Sequence, residues 1–149
     1  MGARMPKEAS LNPSIETATS ARPVMPDPQR VLIVEDEALV GMALEDALEF
    51  LGIAVAGVAG TVDEALVHIE SSKFDGAILD VQLHGKTVLP VAESLERRGI
   101  PFVFATGYGK AGVPEKYRDA PVLQKPFMPA ELKDVLTKAG ICRDPLQGV

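Results

Sequence analysis

The sequence predicts an α/β fold with a five-stranded parallel sheet. Three observations predict it. Short apolar runs alternate with segments of helical spacing from Arg30 onward. Several runs are rich in β-branched residues without polar alternation, as in strands buried on both faces. Glycines stand where the helical patterns stop.

Val31 to Val34 is the first such run, followed by Glu35 and Asp36. Val40, Leu44, Ala47, Leu48 and Leu51 then recur at helical spacing until Gly52. Ile53 to Ala59 reads as a second strand. Thr61 and Glu64 form a capping box, in which the Thr oxygen and the Glu carboxylate take the first free amides. Val62, Ala65, Leu66 and Ile69 make one helical face. Phe74 to Leu79 is a strand ending in Asp80. A helix is expected over Thr87 to Arg98, with Val88, Val91, Ala92 and Leu95 inward, Pro90 near its first turn and Gly99 as its stop. Ile100 to Ala105 is a strand ending in Thr106, and Pro121 to Gln124 a short one ending in Lys125. Pro129 opens the last helix, which carries Leu132, Val135, Leu136 and Ala139 and closes at Gly140.

Such βαβ units place helices on both faces of the sheet. Five strands suit the flavodoxin-like order 2-1-3-4-5, whose ligands bind at the carboxyl ends of the strands. Gly107 to Ala120 breaks the rhythm. It contains Gly107, Gly109, Gly112 and Pro114 where the fourth helix belongs. Each Gly costs about 1 kcal/mol in a helix interior and Pro about 3. Only Ala111, Val113 and Tyr117 offer apolar contact, so the fourth helix is expected to be degraded to a loop or short turn, and mobile.

Composition bounds the function. The chain has 149 residues, 46% of them hydrophobic, with five Phe, two Tyr and no Trp, so its core is aliphatic. A net charge of −6 argues against a nucleic-acid surface. Cys142 is the single cysteine, which permits no internal disulfide and suits a reducing compartment. No apolar run reaches the length of a membrane span and no signal peptide is evident, so a cytoplasmic domain is expected. Residues 1–29, with Pro6, Pro13, Pro23, Pro26 and Pro28, read as a flexible tail, with at most a weak helix near Ile15 to Ala21. The globular domain is expected over 30–142, followed by a short tail over 143–149.

The chemistry gathers where strands stop: Glu35 and Asp36, Asp80, Thr106 and Lys125. Singly these have plain explanations, as capping acids, a turn hydroxyl or a surface lysine. Together, at one sheet edge, three carboxylates invite a divalent cation, and hard oxygen donors suit Mg²⁺. Thr106 supplies a hydroxyl donor and Lys125 a compact cation. Asp80 is the natural nucleophile for phosphoryl transfer, which asks a protein mainly for charge neutralisation and positioning.

Val-Glu-Asp-Glu at 34–37, Leu-Asp-Val at 79–81, Ala-Thr-Gly at 105–107 and Lys-Pro-Phe at 125–127 resemble the motifs of response-regulator receiver domains, over about Arg30 to Ala139. The resemblance implies a (βα)5 receiver with Asp80 as phosphoacceptor. It implies Glu35, Asp36, Asp80 and the Gln82 backbone carbonyl around Mg²⁺, Thr106 as switch hydroxyl and Lys125 on the phosphoryl group. It also implies a cis bond before Pro126. The stretch from Pro101 to Gly109, Pro-Phe-Val-Phe-Ala-Thr-Gly-Tyr-Gly, is similar to the signature of the FAT-GUY receivers, mostly single-domain alphaproteobacterial regulators. That likeness implies a sensor histidine kinase, often of the HWE type, or a histidine phosphotransfer protein as phosphodonor, and a downstream protein partner.

Two departures stand out. The loop after Asp80, Val-Gln-Leu-His-Gly, lacks the proline common there. The usual aromatic switch position three before Lys125 is Val122, which makes Tyr108 the candidate substitute. His68 reads as a solvated helix residue and His84 as a loop residue near the site. An aspartate-nucleophile phosphatase would need an acid at Gln82. A P-loop would need Gly-Lys-Ser/Thr after the glycines at 52, 57 and 60, and a dinucleotide site a Gly-x-Gly-x-x-Gly after the first strand. None is present. The remaining alternative is a pseudo-receiver that binds partners without phosphorylation.

Overall fold

A computed structural model describes residues 29–142. The tails expected over 1–29 and 143–149, Gln29 aside, lie outside the described residues, as does the weak helix near Ile15.

β1 (Arg30–Val34), β2 (Ala54–Ala59), β3 (Gly76–Asp80), β6 (Phe102–Thr106) and β7 (Val122–Gln124) form one parallel sheet in the order β2-β1-β3-β6-β7. This is the flavodoxin-like order predicted. β1 starts one residue before its apolar run and the other four strands one or two residues after theirs; in β3 and β6 this is because Phe74 and Ile100 lie in the approaches and cover the core from outside. Side-chain alternation splits the sheet into two faces. Val31, Ile33, Ile78, Val103 and Leu123 pack against α1 (Ala38–Phe50) and α4 (Pro129–Lys138). Leu32, Val34, Ala77, Leu79 and Phe104 pack against α2 (Val62–Ser71) and α3 (Leu89–Arg97).

The helices begin and end as their sequences dictate. Thr61 Oγ1 accepts the Glu64 N–H at 3.0 Å, while the Glu64 carboxylate takes the Gly60 N–H at 2.8 Å. Gly52, Gly99 and Gly140 follow α1, α3 and α4 with φ between +71° and +83°, the left-handed conformation that ends a helix most cheaply at glycine.

Two local expectations need correction, and a third holds. The helix expected from Thr87 starts at Leu89, because Lys86–Thr87 (β5) pairs with Gln82–Leu83 (β4) in a small antiparallel hairpin. His68 is not simply solvated. Its ring covers Gly57 of edge strand β2, where an added Cβ would lie 2.6 Å from the imidazole Cε1. The fourth helix is indeed degraded, to 3-10 turns at Gly109–Gly112 and Glu115–Tyr117, but Val113 and Tyr117 within it are buried. Tyr117 stacks edge-on against Phe102 at 5.4 Å and donates its hydroxyl proton to Glu96 of α3 at 2.8 Å.

Candidate functional site

Parallel strands deliver their carboxyl ends to one edge, and the adjacency β1-β3-β6-β7 sets the singled-out residues side by side. Backbone hydrogen bonds extend the ladder into the site. Glu35 N–H donates to Ala59 O at 2.9 Å and Lys125 N–H to Thr106 O at 2.9 Å. The side chains therefore leave rigid main chain. The Lys125–Pro126 peptide is cis, as the resemblance implied.

Glu35, Asp36 and Asp80 each present an oxygen within 4.8 Å of the others. Glu35 is 3% exposed, so its charge needs partners. It finds them in Lys125 Nζ at 2.8 Å and the Glu37 N–H at 3.1 Å. Lys125 Nζ also lies 3.6 Å from Asp80 Oδ1. One ammonium thus serves two carboxylates, which leaves a net negative charge. Asp80 registers the excess. Burial, then the charge of Glu35, push its carboxyl up to about 7, only partly offset by Lys125. Burial alone would lower Lys125, but the Glu35 hydrogen bond and the Asp80 charge hold its ammonium above its ordinary value. Asp36 behaves oppositely to Asp80. Burial works against its charge, yet the His84 N–H, at 2.8 Å from Oδ2, and its other hydrogen bonds hold it below the usual carboxylate range.

This donor set fits a divalent cation. The oxygens are hard and close together, and a single lysine ammonium stands against three carboxylates. The surrounding cleft, of about 770 Å³, is lined by Asp36, Asp80, Gln82, Thr106, Tyr108 and Lys125 among others. It is roomy enough for a phosphoryl group beside a cation.

Thr106 is 1% exposed, and its Oγ1 accepts the Tyr108 N–H at 3.0 Å. Tyr108 therefore touches Thr106 through its backbone, while its side chain stands out, 82% exposed. Gln82 lines the same cleft. Val122 lies opposite Phe104 in the sheet, away from the lysine end, and packs on the core.

His84 was the residue undervalued by sequence reasoning. Its main-chain N–H, not its imidazole, reaches the acidic cluster from 48 positions away. The signal that could have found it is the dipeptide His84-Gly85 between two short segments, a pattern that allows a tight hairpin.

The family model of the response regulator receiver domain matches residues 31–137. The phyllosphere-induced regulator PhyR of Methylorubrum extorquens is 39% identical over 73% of this chain and 42% of its own length. The transcriptional regulatory protein PdtaR of Mycobacterium tuberculosis is 33% identical over 73% of this chain and 54% of its own. The chain thus spans about half the length of the curated relatives it matches. Among solved structures, SdrG from Sphingomonas melonis Fr1 is 46% identical, with a TM-score of 0.72, over 78% of this chain and 100% of its own. The receiver-domain structure of Erythrobacter litoralis PhyR is 29% identical, with a TM-score of 0.66, over 79% of this chain and 95% of its own. Among the described residues no helix is long and apolar enough to cross a membrane. Motifs, sheet order and relatives agree, and the chain belongs to the response regulator receiver domain family.

Proposed function

We propose that the chain is a phosphoacceptor switch in two-component signalling, modified on Asp80. The observation that carries this reading is Lys125 Nζ, 2.8 Å from Glu35 and 3.6 Å from Asp80, at the rim of three converging carboxylates. Glu35, Asp36, Asp80 and the Gln82 carbonyl would hold Mg²⁺, which, when bound, neutralises charge on the carboxylates and the incoming phosphoryl oxygens. An Asp80 carboxylate oxygen attacks the phosphorus of a kinase or phosphotransfer-protein phosphohistidine. The O–P bond forms as the P–N bond breaks, and the electron pair leaves with the imidazole nitrogen, which takes up a proton. Lys125 places its ammonium against the transferred oxygens, and Thr106, whose Oγ1 accepts from Tyr108, donates its hydroxyl hydrogen to one of them.

The protein acts as a regulator rather than an enzyme with a turned-over substrate. The donor is a sensor histidine kinase, of the HWE type by likeness to the FAT-GUY receivers, or a histidine phosphotransfer protein. The output passes through a downstream protein partner, with Tyr108 and the 107–120 segment as the responding surface. A related PhyR from Bartonella quintana is described as an anti-anti-sigma factor, so control of a sigma-factor regulator is one such output. The net charge of −6 supports a protein partner over nucleic acid.

The test is phosphotransfer from autophosphorylated sensor kinases of the host. At least one kinase should label the wild-type protein in Mg²⁺, while Asp80→Asn, folded by circular dichroism, stays unlabelled. A wild type that no kinase or small phosphodonor labels would instead make it a pseudo-receiver adaptor.

A further inference from the structure

The hairpin that follows Asp80 has a task that its exposed side chains conceal. β4 and β5 are two residues each, joined by His84 and Gly85. Both turn residues have positive φ, +51° and +78°. That is the pattern of a type I′ turn, which matches the twist of the strands it joins. Glycine adopts it freely, and histidine is among the other residues that enter it more often than most. The turn in this form presents a main-chain N–H to the acidic edge. The His84 N–H donates to Asp36 Oδ2 at 2.8 Å. Its ring, by contrast, is 64% exposed, with Nδ1 at 3.7 Å from the same oxygen.

Asp36 depends on this contact. Lys125 is committed to Glu35 and Asp80, and among the described residues no Lys or Arg pairs with Asp36. The hairpin itself is anchored from below, since Val81, Leu83 and Val88 are buried and Val88 N–H closes onto Val81 O. The core thus sets the height of the turn, and the turn sets the carboxylate.

We infer that the β4–β5 hairpin is the positioning element of the cation site. The His84 main-chain N–H fixes one oxygen of Asp36 and leaves the carboxylate a second oxygen for the cation, with Gly85 required for the turn that aims this N–H. The inference rests on the reading of Glu35, Asp36 and Asp80 as a cation site. It assigns the effect to backbone geometry rather than to the histidine ring.

Mn²⁺ binding to the full chain, followed by calorimetry, separates these possibilities. His84→Asn keeps the N–H and tolerates the left-handed conformation, so its affinity should stay within about two-fold of wild type. Gly85→Val cannot hold φ +78° without strain, although a Cβ there meets nothing within 4 Å. Its Mn²⁺ affinity should fall roughly five- to ten-fold, with little change in melting temperature, and Gly85→Asn should restore most of it. In metal-free protein the His84 amide should exchange slowly, and faster in Asp36→Ala. If Gly85→Val binds Mn²⁺ like wild type, or if His84→Asn loses as much affinity as Gly85→Val, the positioning role is wrong. A wild type that binds no Mn²⁺ would refute the cation reading itself, and the proposal with it.

Discussion

Two irregular segments flank the cleft, and they are held in opposite ways. The 82–87 hairpin, after Asp80, is fixed by its backbone: a short ladder, a two-residue turn and one N–H on Asp36. Its side chains at 84–86 are exposed. The 109–117 segment, after Thr106, has no ladder and is fixed by side chains. Tyr117 locks it to Phe102 and Glu96, Val113 is buried, and Lys110 Nζ reaches Arg118 O at 3.2 Å. The stretch from Gly107 to Gly112, which leads from Thr106 into it, lacks a buried side chain. Equally unhelical sequence is thus held in place in two ways. Backbone bonds hold the hairpin beside the acidic cluster. Side-chain anchors, Tyr117 and Val113 above all, hold the segment that follows Thr106.

The largest effect expected is from Tyr117→Ala. It removes a buried ring and the hydroxyl bond to Glu96, and should destabilise the fold by about 3 kcal/mol or more in urea unfolding. Amide exchange should rise over 109–117 and stay unchanged over 82–87. Equal loosening of both segments would break the contrast.

The second effect separates Asp36, which the hairpin holds, from its neighbour Asp80 by pH. Asp36, held by the hairpin, stays ionised, whereas Asp80 is held up to about 7 against an ordinary value of 3.8. Below about pH 4 Asp80 is protonated both folded and unfolded. Between these values only the native state keeps the proton, so stability falls as pH rises and stays reduced above 7. Asp80→Asn abolishes that loss. Without added cation it should be more stable than wild type by on the order of 1 to 2 kcal/mol above about pH 7, and no more stable below about pH 4. A constant difference across that range would contradict the charge balance described here.

Tyr117→Phe sharpens the first prediction. It keeps the ring and loses the Glu96 bond, which should cost about 1 kcal/mol. Smallest is Lys110→Met. Its contact with Arg118 O is exposed, and thermal unfolding should shift by less than about 0.5 kcal/mol equivalent.

The sheet was legible because its strands sit in short, largely apolar runs and glycines follow three of the four helices, a signal that needs no knowledge of distant partners. The site residues were legible for a related reason: Glu35, Asp36, Asp80, Thr106 and Lys125 all follow directly on those runs, and a parallel sheet brings such ends together. What escaped was long-range or very short. Two-residue strands are too brief to show alternation, so Lys86 and Thr87 read as the approach to a helix. The Tyr117–Glu96 bond joins residues 21 apart, and the His84–Asp36 bond joins main chain to side chain 48 apart. The glycines and Pro114 correctly foretold a broken fourth helix, but the anchor that keeps it in place belongs to Phe102 and Glu96, outside the segment.

Covalent modification of Asp80 at the acidic edge is tested by mass-spectrometric mapping of the phosphoryl group after incubation with acetyl phosphate and Mg²⁺. Modification is expected on the peptide containing Asp80, with its loss in EDTA and none in Asp80→Asn. Undiminished modification in EDTA, or a phosphoryl group mapped to any other residue, would contradict that assignment.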